Sequence, residues 1–339
     1  MSTLTAGMVR FLLGPSNPLL PLLAGPDLPV DGQRVPDSIR LILRLGANGT
    51  DPSEPVTTAA RDGLDRVSVL LGAGAGRDIA VRDVLVPGGA GPLPARAYLP
   101  PRPSGGLLVF FHGGGWVRGS IRSHDALCRV LARYSGSHVV SVAYRLAPEH
   151  PFPAAVDDAY AAYAHLARTA RTGYGARRVA VGGDSAGGNL AAAVAHRFAA
   201  EAEIRPCHTL LVYPGIDSDI RRYASQNRLG EQDLLLTTAS VDAFIEAYCP
   251  DPALRTDPRF SVIGDDRLTG LPPTHVVTAG IDPLRDQGLA YVQRLRGAGT
   301  DVEHTDFPGL PHGFANLLAA PEAYRAVVAL AGRLRAALA

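Results

Sequence analysis

Lysine is missing from this chain of 339 residues, so all 33 basic side chains are arginines. They are balanced by 32 acidic residues, and the formal net charge is +1. A chain without excess charge has no overall field that would attract nucleic acid or an anionic membrane. The apolar fraction of 46% and the charged fraction of 19% are those of a globular protein and exclude a mostly disordered chain.

Cysteine is also scarce. Cys128, Cys207 and Cys249 are widely separated, and the sequence contains no C-x-x-C pair. An odd number of isolated cysteines predicts neither a disulfide framework nor a zinc ribbon. We therefore expect free, buried or half-buried thiols and no metal ion.

A long hydrophobic run is the third feature that the sequence lacks. Residues 11–26 carry no charge, but these 16 residues fall short of the roughly 18 that suggest a membrane span. Pro15, Pro18 and Pro21 interrupt the stretch, which argues against a signal peptide. We expect a short amphipathic segment packed on the body of the protein, no stable membrane insertion and, by default, a cytoplasmic location.

Apolar runs alternate with helical stretches from about residue 78 onward. This alternation predicts a mostly parallel sheet covered by helices on both faces. A Gly/Pro-rich turn joins the first two runs and indicates a hairpin. The predicted strands are 78–86, 94–99, 107–111, 138–144, 178–181, 210–213, 275–278 and 302–307. The predicted helices are 123–134, 153–168, 186–202, 285–298 and 322–338.

Two regions depart from the alternation. Residues 1–75 are irregular and rich in proline and glycine, with short helices expected at 37–45 and within 53–71. Residues 217–271 interrupt the later alternation and contain a predicted helix at 238–248. An insertion of this length is uncommon as plain loop and often forms a functional lid.

The motif G-x-S-x-G stands at a predicted strand-to-helix junction, where Ser185 is flanked by Gly183 and Gly187. A nucleophile on such a sharp turn needs glycine neighbours, because strand and helix approach each other closely there. The helix that begins at Ala186 offers backbone N–H groups and a positive dipole to a developing anion. The motif is weak by itself, but its position at this junction predicts a serine nucleophile.

A glycine cluster follows the strand at 107–111, where His112 precedes Gly113, Gly114, Gly115 and Trp116. Exposed glycine amides are suited to an oxyanion hole. A loop that merely needs positive φ would have the same composition. A phosphate cradle is disfavoured because neither phosphate-binding glycine spacing occurs.

Two further polar residues follow predicted strands, Asp282 after 275–278 and His312 after 302–307. The carboxyl ends of parallel strands are where open α/β sheets carry their sites. Alone, Asp282 would be interpreted as a helix N-cap and His312 as a structural histidine. Together with Ser185 they have the chain order of an α/β-hydrolase triad.

Five separated motifs resemble the hormone-sensitive-lipase family of α/β-hydrolase esterases, which includes relatives of arylacetamide deacetylase and bacterial carboxylesterases. They are HGGGW, YRLAPEHPFPAA, GDSAGGNLA, LPPTHVVTAGIDPLRD and GLPHGF. The resemblance covers the chain from about residue 78 to 338. The resemblance implies an α/β-hydrolase fold with a helical cap and no metal or organic cofactor. It also implies a triad of Ser185, Asp282 and His312. The oxyanion donors that it implies are the amides of Gly113, Gly114, Gly115 and Ala186.

The family's cap corresponds to residues 1–75 and to an insertion at 217–260, which leaves 76–339 as the catalytic domain. The chain departs from the family at Gln287, where glutamate is frequent, and at residues 259–263. Trp116 is expected either to line the substrate pocket or to pack the loop. Asp184 is expected beside the pocket, forming a hydrogen bond behind the nucleophile.

The resemblance predicts a serine carboxylesterase for short- to medium-chain acyl esters. An amidase or deacetylase with the same triad is the alternative. A non-catalytic small-molecule receptor, similar to the plant gibberellin receptors, is less favoured because such receptors typically lack a complete triad. The expected partner is a small-molecule ester and not nucleic acid, and a homodimer is possible.

Overall fold

The computed structural model of the chain describes residues 6–46, 58–72, 74–232 and 234–339. Its strands are β1 (Pro29–Val30), β2 (Gln33–Arg34), β3 (Ala80–Pro87), β4 (Pro92–Leu99), β5 (Gly106–Phe111), β6 (His138–Val142), β7 (Arg178–Asp184), β8 (His208–Val212), β9 (Thr274–Ile281) and β10 (Val302–Pro311). Its helices are α1 (Ala6–Leu13), α2 (Leu20–Ala24), α3 (Asp37–Arg44), α4 (Thr58–Gly72), α5 (Asp125–Ser135), α6 (Ala154–Tyr174), α7 (Ala186–Phe198), α8 (Ala224–Leu229), α9 (Thr238–Tyr248), α10 (Arg285–Gly297) and α11 (Pro321–Leu338). Short 3-10 turns lie at Ile220–Arg222, Pro252–Leu254, Val262–Gly264 and Phe314–Asn316.

Eight of the strands form one sheet in the order β10-β9-β8-β7-β5-β6-β4-β3. The pairs β3–β4 and β4–β6 are antiparallel, and every other pair in this sheet is parallel. The order places β7, which precedes Ser185, near the centre of the sheet. The predicted α/β-hydrolase fold and the β3–β4 hairpin are confirmed.

Helices cover both faces of the sheet. Along β5, Val109 and Phe111 pack into one hydrophobic core, while Leu108 and Phe110 pack into the other. This alternation follows from the two-residue period of a strand. The first core includes residues of α6, α7, α9 and α10, and the second includes residues of α1–α5 and α11. Because both faces are buried, β5 is a continuous apolar run rather than an alternating one.

The element boundaries differ from the predictions at several ends. Strand β6 ends at Val142, two residues earlier than expected, and α7 ends at Phe198 rather than at residue 202. Helix α6 continues to Tyr174, and the next residue, Gly175, caps it in the left-handed conformation with φ 63°. The β1–β2 hairpin and α8 were not predicted. Part of the helix expected within 53–71, residues 53–57, lies outside the described residues.

The uncharged N-terminal stretch forms α2 and the last three residues of α1. As expected, it packs on the body of the protein, since Leu13, Leu20 and Ala24 are buried. The outer surface is also apolar, with Phe11 56% and Leu22 77% exposed. The segment is therefore less amphipathic than predicted. No helix in the described ranges is both long and apolar enough to cross a membrane.

The three cysteines are free thiols, as the sequence predicted. Cys128 and Cys249 are buried, and Cys207 is half-buried. Burial raises the pKa of each thiol, which keeps it protonated near neutral pH.

Candidate active site

Ser185 occupies the turn between β7 and α7 in a conformation that L-residues rarely adopt, with φ 55° and ψ −119°. A Cβ added to Gly187 would lie 2.0 Å from the carbonyl oxygen of Phe111. A Cβ added to Gly183 would lie 2.3 Å from the backbone of Gly187. Both contacts are impossible, so only glycine permits this approach of strand and helix. The turn therefore presents the Ser185 side chain at the carboxyl end of the sheet.

The structure brings Ser185, His312 and Asp282 together. The Ser185 hydroxyl lies 2.8 Å from Nε2 of His312, and Nδ1 of His312 lies 2.8 Å from Oδ2 of Asp282. A carboxylate only accepts hydrogen bonds, so Nδ1 carries the proton and Nε2 is free to accept from the Ser185 hydroxyl. This chain of contacts can move the serine proton to the imidazole.

Asp282 is fully buried, and its second oxygen accepts the backbone N–H of Leu284 at 2.8 Å. Asp282 thus satisfies an amide at the start of α10 and also orients the imidazole of His312. The N-cap interpretation of Asp282 is wrong, because the N-cap residue of α10 is Leu284 and no side chain caps this helix.

The glycine loop after β5 differs from expectation at Gly113. The N–H of Gly113 donates to Oδ1 of Asp184 at 2.9 Å, so it is not available to a bound oxyanion. The expectation that Gly113 is a candidate oxyanion donor is therefore wrong. Among the described residues, none accepts a hydrogen bond from the amides of Gly114, Gly115 or Ala186. These three amides border the same cavity as Ser185.

The cavity above Ser185 has a volume of about 130 Å³ and is mostly apolar. Helix α4 contributes Leu64, Val67 and Leu71 to its wall, and α9 contributes Val241, Phe244 and Ile245. The other large apolar side chains of the wall are Trp116, Ile220, Leu235, Leu236, Phe260, Leu284 and Leu317.

Trp116 both lines this cavity and packs the loop, so each of the two expectations describes part of its position. Its ring stacks on Tyr248 with centroids 4.8 Å apart and meets the edge of Phe260 at 5.3 Å. Its φ of 61° is unusual for a bulky residue and places the indole against α9. Gly115 lies against Phe244 of the same helix, where a Cβ would be 2.4 Å from the ring. The glycine loop and α9 are therefore packed together.

Asp184 lies beside the cavity, as expected, and its carboxylate is charged. Burial by itself raises its pKa, but the nearby His124 imidazole and the Gly113 N–H together hold the pKa below its usual value. Burial and His124 lower the pKa of His112 to about 4, so His112 is neutral at pH 7. Its Nδ1–H donates to the carbonyl oxygen of Gly113 at 2.9 Å.

Sequence reasoning did not single out His124, which lies near the start of the helix predicted at 123–134. His124 is only 3% exposed, and its Nε2 lies 3.1 Å from Oδ1 of Asp184. The two residues are 60 positions apart in the chain. No local pattern around His124 predicts this contact, because it depends on how β5, β7 and α5 meet.

Gln287, where the family often has glutamate, is fully buried. Its side-chain oxygen accepts the backbone N–H groups of Ile216 at 2.6 Å and Asp217 at 3.0 Å. An amide oxygen fills this acceptor role without placing another charge near Asp217. Residues 259–263 also depart from the family. There, Phe260 packs against Trp116, and its carbonyl oxygen accepts a hydrogen bond from the side-chain amide of Asn189 at 2.7 Å.

Within the described residues, no group of three or more histidine, cysteine or acidic side chains is arranged to hold a metal ion.

Comparison with known proteins agrees with this geometry. The family described as alpha/beta hydrolase fold matches residues 108–316. The carboxylic ester hydrolase LipN of Mycobacterium tuberculosis is 41% identical over 314 residues, which cover 87% of this chain and 81% of that protein. The ethyl acetate hydrolase of Pseudomonas putida is 41% identical over 231 residues, which cover 66% of this chain and 72% of that protein.

Solved structures of esterases superpose closely. The hyperthermophilic esterase of Pyrobaculum calidifontis has a TM-score of 0.82 at 35% identity, covering 91% of this chain and 99% of that one. An ester hydrolase from the metagenome of Lake Arreo, complexed with a bipyridine phosphonate derivative, has a TM-score of 0.81 at 38% identity. That match covers 88% of this chain and 96% of the other.

Proposed function

Because this chain belongs to the hormone-sensitive-lipase family of α/β-hydrolase carboxylesterases and is a carboxylic ester hydrolase, we propose that it cleaves short- to medium-chain acyl esters through an acyl-enzyme on Ser185. The hydrogen-bonded series Ser185–His312–Asp282, with both contacts at 2.8 Å, carries the proposal.

In the first half-reaction, the Ser185 oxygen attacks the ester carbonyl while its proton passes to Nε2 of His312. The C–O bond to the leaving group then breaks, and the imidazolium gives that proton to the departing alcohol. In the second half-reaction, water attacks the acyl-enzyme and loses a proton to His312. The carboxylic acid is released, and Ser185 regains its hydrogen. Asp282 holds the imidazole orientation and stabilises its charged form throughout.

The tetrahedral oxyanion is stabilised by backbone amides that no described residue uses, those of Gly114, Gly115 and Ala186. Ala186 is the first residue of α7, so the positive end of the helix dipole adds to its N–H. Removing one donor of such a hole typically lowers kcat by about 10²- to 10³-fold.

The size of the cavity supports a short or medium acyl chain. An apolar cavity of about 150 Å³ accommodates one benzene molecule, and the cavity here is of similar volume. Both proposed cap regions contribute to its wall, through α4 in residues 1–75 and α9 in residues 217–260. A cap formed by these regions over the catalytic domain 76–339 would limit the length of the acyl group.

We expect the wild-type protein to hydrolyse p-nitrophenyl acetate, butyrate and hexanoate, and to lose activity toward palmitate. Ser185→Ala removes the nucleophile and should lower kcat by at least about 10⁴-fold, with the circular dichroism spectrum unchanged. Steady-state kinetics across the ester series measure both the preferred acyl-chain length and the loss of kcat in Ser185→Ala. An active Ser185→Ala variant would contradict the proposal.

The alternatives give different outcomes in the same assay. Faster turnover of 4-nitroacetanilide than of the matching acetate ester would favour an amidase. A folded wild-type protein that binds esters without turnover would indicate a receptor. The cytoplasmic location and the homodimer expected from the sequence stay predictions.

A further inference from the structure

A second buried aspartate–histidine pair lies directly beneath the glycine loop. Asp184 and His124 are 2% and 3% exposed, and Nε2 of His124 lies 3.1 Å from Oδ1 of Asp184. The same carboxylate oxygen accepts the N–H of Gly113 at 2.9 Å. The reaction proposed above assigns no proton transfer to this pair, so it needs another explanation.

The position of the proton on His124 follows from its neighbours. A carboxylate has no hydrogen to donate, so Nε2 of His124 must carry the proton that faces Asp184. The side-chain amide of Asn316 lies 3.1 Å from the same nitrogen. If its oxygen faces the imidazole, the buried Oδ1 of Asn316, which otherwise has no partner in the described structure, also gains a hydrogen bond. On the other side of the ring, Nδ1 lies 2.8 Å from the hydroxyl of Ser123.

These contacts join the three loops that carry the site. Asp184 immediately precedes Ser185, Gly113 begins the glycine loop, and Asn316 follows His312 by four residues. His124 lies within 3.3 Å of all three, although it belongs to none of them. Because Nε2 carries the proton, it makes no hydrogen bond with the Gly113 N–H, and the two are neighbouring donors to the Asp184 carboxylate. His124 lies at the start of α5 and next to Phe110 of β5, so the body of the protein, and not these loops, holds it in place.

The orientation of the Gly113 amide controls the amides that follow it. Gly113 is held on both sides, because its N–H donates to Asp184 and its carbonyl oxygen accepts from His112. Gly114 follows with φ 120°, which only glycine adopts freely. Its carbonyl oxygen accepts the N–H groups of Val117 at 3.2 Å and Arg118 at 3.0 Å, so the residues after Gly113 form one hydrogen-bonded turn. A rotation at Gly113 would therefore move the Gly114 and Gly115 N–H groups away from the oxyanion.

We propose that His124 is a positioning residue for ester hydrolysis. Through Asp184 it fixes the Gly113 peptide, and thereby aims the amides of Gly114 and Gly115 at the oxyanion of the transition state. The inference rests on the proposed function, since it requires Ser185 to be the nucleophile. It adds a buried histidine that borders the cavity and makes no hydrogen bond to the triad side chains in the described structure.

Three variants test the proposal. His124→Leu removes the hydrogen bonds and keeps the bulk. His124→Gln keeps a donor near the position of Nε2. His196→Leu is the matched control, because His196 is also buried, at 4% exposure, lies 3.2 Å from the Asp265 carboxylate and does not line the cavity. Each is compared with the wild type on p-nitrophenyl butyrate and in urea unfolding.

We expect His124→Leu to lower kcat by about 10²-fold, the cost of a misplaced oxyanion donor, with KM changed by less than about threefold. His124→Gln should recover most of kcat. The pH at which the acid limb of the kcat profile falls should stay unchanged, because His312 itself is untouched. Butylboronic acid forms a tetrahedral anion on the serine oxygen, so its Kd should rise by about the same factor as kcat falls.

Several results would overturn the inference. One is a His124→Leu variant whose kcat equals that of the wild type. The same holds if His124→Leu and His196→Leu lose equal free energy of unfolding and His124→Leu loses no more kcat than the control. Another is unchanged affinity for butylboronic acid. If Ser185→Ala retains activity, the proposed function itself fails. If only Ser185→Ala is inactive and His124→Leu is not impaired, the function stands and the positioning role alone is rejected.

Discussion

At the scale of single residues, the site depends on a backbone conformation that the side chains do not favour. Ser185 has φ 55° although it is not glycine. Such a residue costs about 1–3 kcal/mol and persists only where the surroundings hold it. Here β7, α7 and the close approach of Gly187 to Phe111 hold it. Activity at Ser185 is thus maintained at the expense of stability.

Removing the Cβ at this position should release part of the strain. We expect Ser185→Gly to be more stable than Ser185→Ala by about 1 kcal/mol, even though glycine gains more entropy on unfolding. Both variants are inactive, so the comparison isolates the backbone. Urea unfolding measures the difference, and an alanine variant as stable as the glycine variant would show that Ser185 is unstrained.

At the scale of elements, Arg61 hydrogen-bonds helix α4 to the loops that follow β5 and β6. Its guanidinium donates to the carbonyl oxygens of Val117 and Ala147, each at 2.8 Å, and to both oxygens of Glu149. These hydrogen bonds with Arg61 lower the pKa of Glu149 to about 2. The helix also lines the cavity, so Arg61 links the wall of the cavity to the end of the glycine loop.

Lysine cannot form this set of contacts, because it lacks the planar fork of arginine. We expect Arg61→Lys to lower kcat/KM on p-nitrophenyl butyrate on the order of tenfold, mainly through KM. The reason is that α4, which forms part of the cavity wall, is no longer held in place. Arg66→Lys is the control, since Arg66 is exposed on the same helix. Equal kinetics for the two variants would show that Arg61 does not position α4.

At the scale of the whole molecule, burial of histidines makes stability depend on pH. His208 on β8 and His275 on β9 lie on neighbouring strands. Burial lowers the pKa of each to about 4. In the unfolded chain a histidine has a pKa of about 6.5. The unfolded state therefore binds protons first as the pH falls from 6.5 toward 4, and stability is lost across that interval.

The expected loss is up to about 1.4 kcal/mol per pH unit for each such histidine. The free energy of unfolding should be highest above pH 6.5 and should fall by about 2 kcal/mol per buried histidine between pH 7 and 5. Replacing His275 by glutamine should remove one such contribution, whereas replacing the half-buried His165 serves as the control. Urea unfolding at pH 7 and at pH 5 measures the change in the free energy of unfolding. If this change is the same in His275→Gln as in the wild type, His275 does not contribute to the pH dependence.

Much of the fold was predictable because its signals are local. Strand β5 is apolar throughout and ends at glycines, and β7 runs into a G-x-S-x-G turn. The chain order of Ser185, Asp282 and His312 likewise predicted a triad before the distances were known. Element ends were less predictable. The end of α7 and the β1–β2 hairpin depend on what packs against them.

The roles of individual atoms at the site could not be predicted in the same way. The sequence offered Gly113 as an equal to Gly114 and Gly115, since all three are glycines. The contact of Gly113 with Asp184 distinguishes it, and 71 residues separate the two. His124 was missed for the same reason, because its partners lie on other elements.

The sequence by itself determined the fold family, the order of strands and helices along the chain, and the residue types at the nucleophile turn. These follow from hydrophobic periodicity and from backbone conformations that only glycine permits. The tertiary structure alone decided which amides are left for an oxyanion, that His124 is buried beneath the glycine loop, and that α4 and α9 wall the cavity. Those features are contacts between residues far apart in the chain, and hydrogen-bond geometry exists only once the sheet has brought them together.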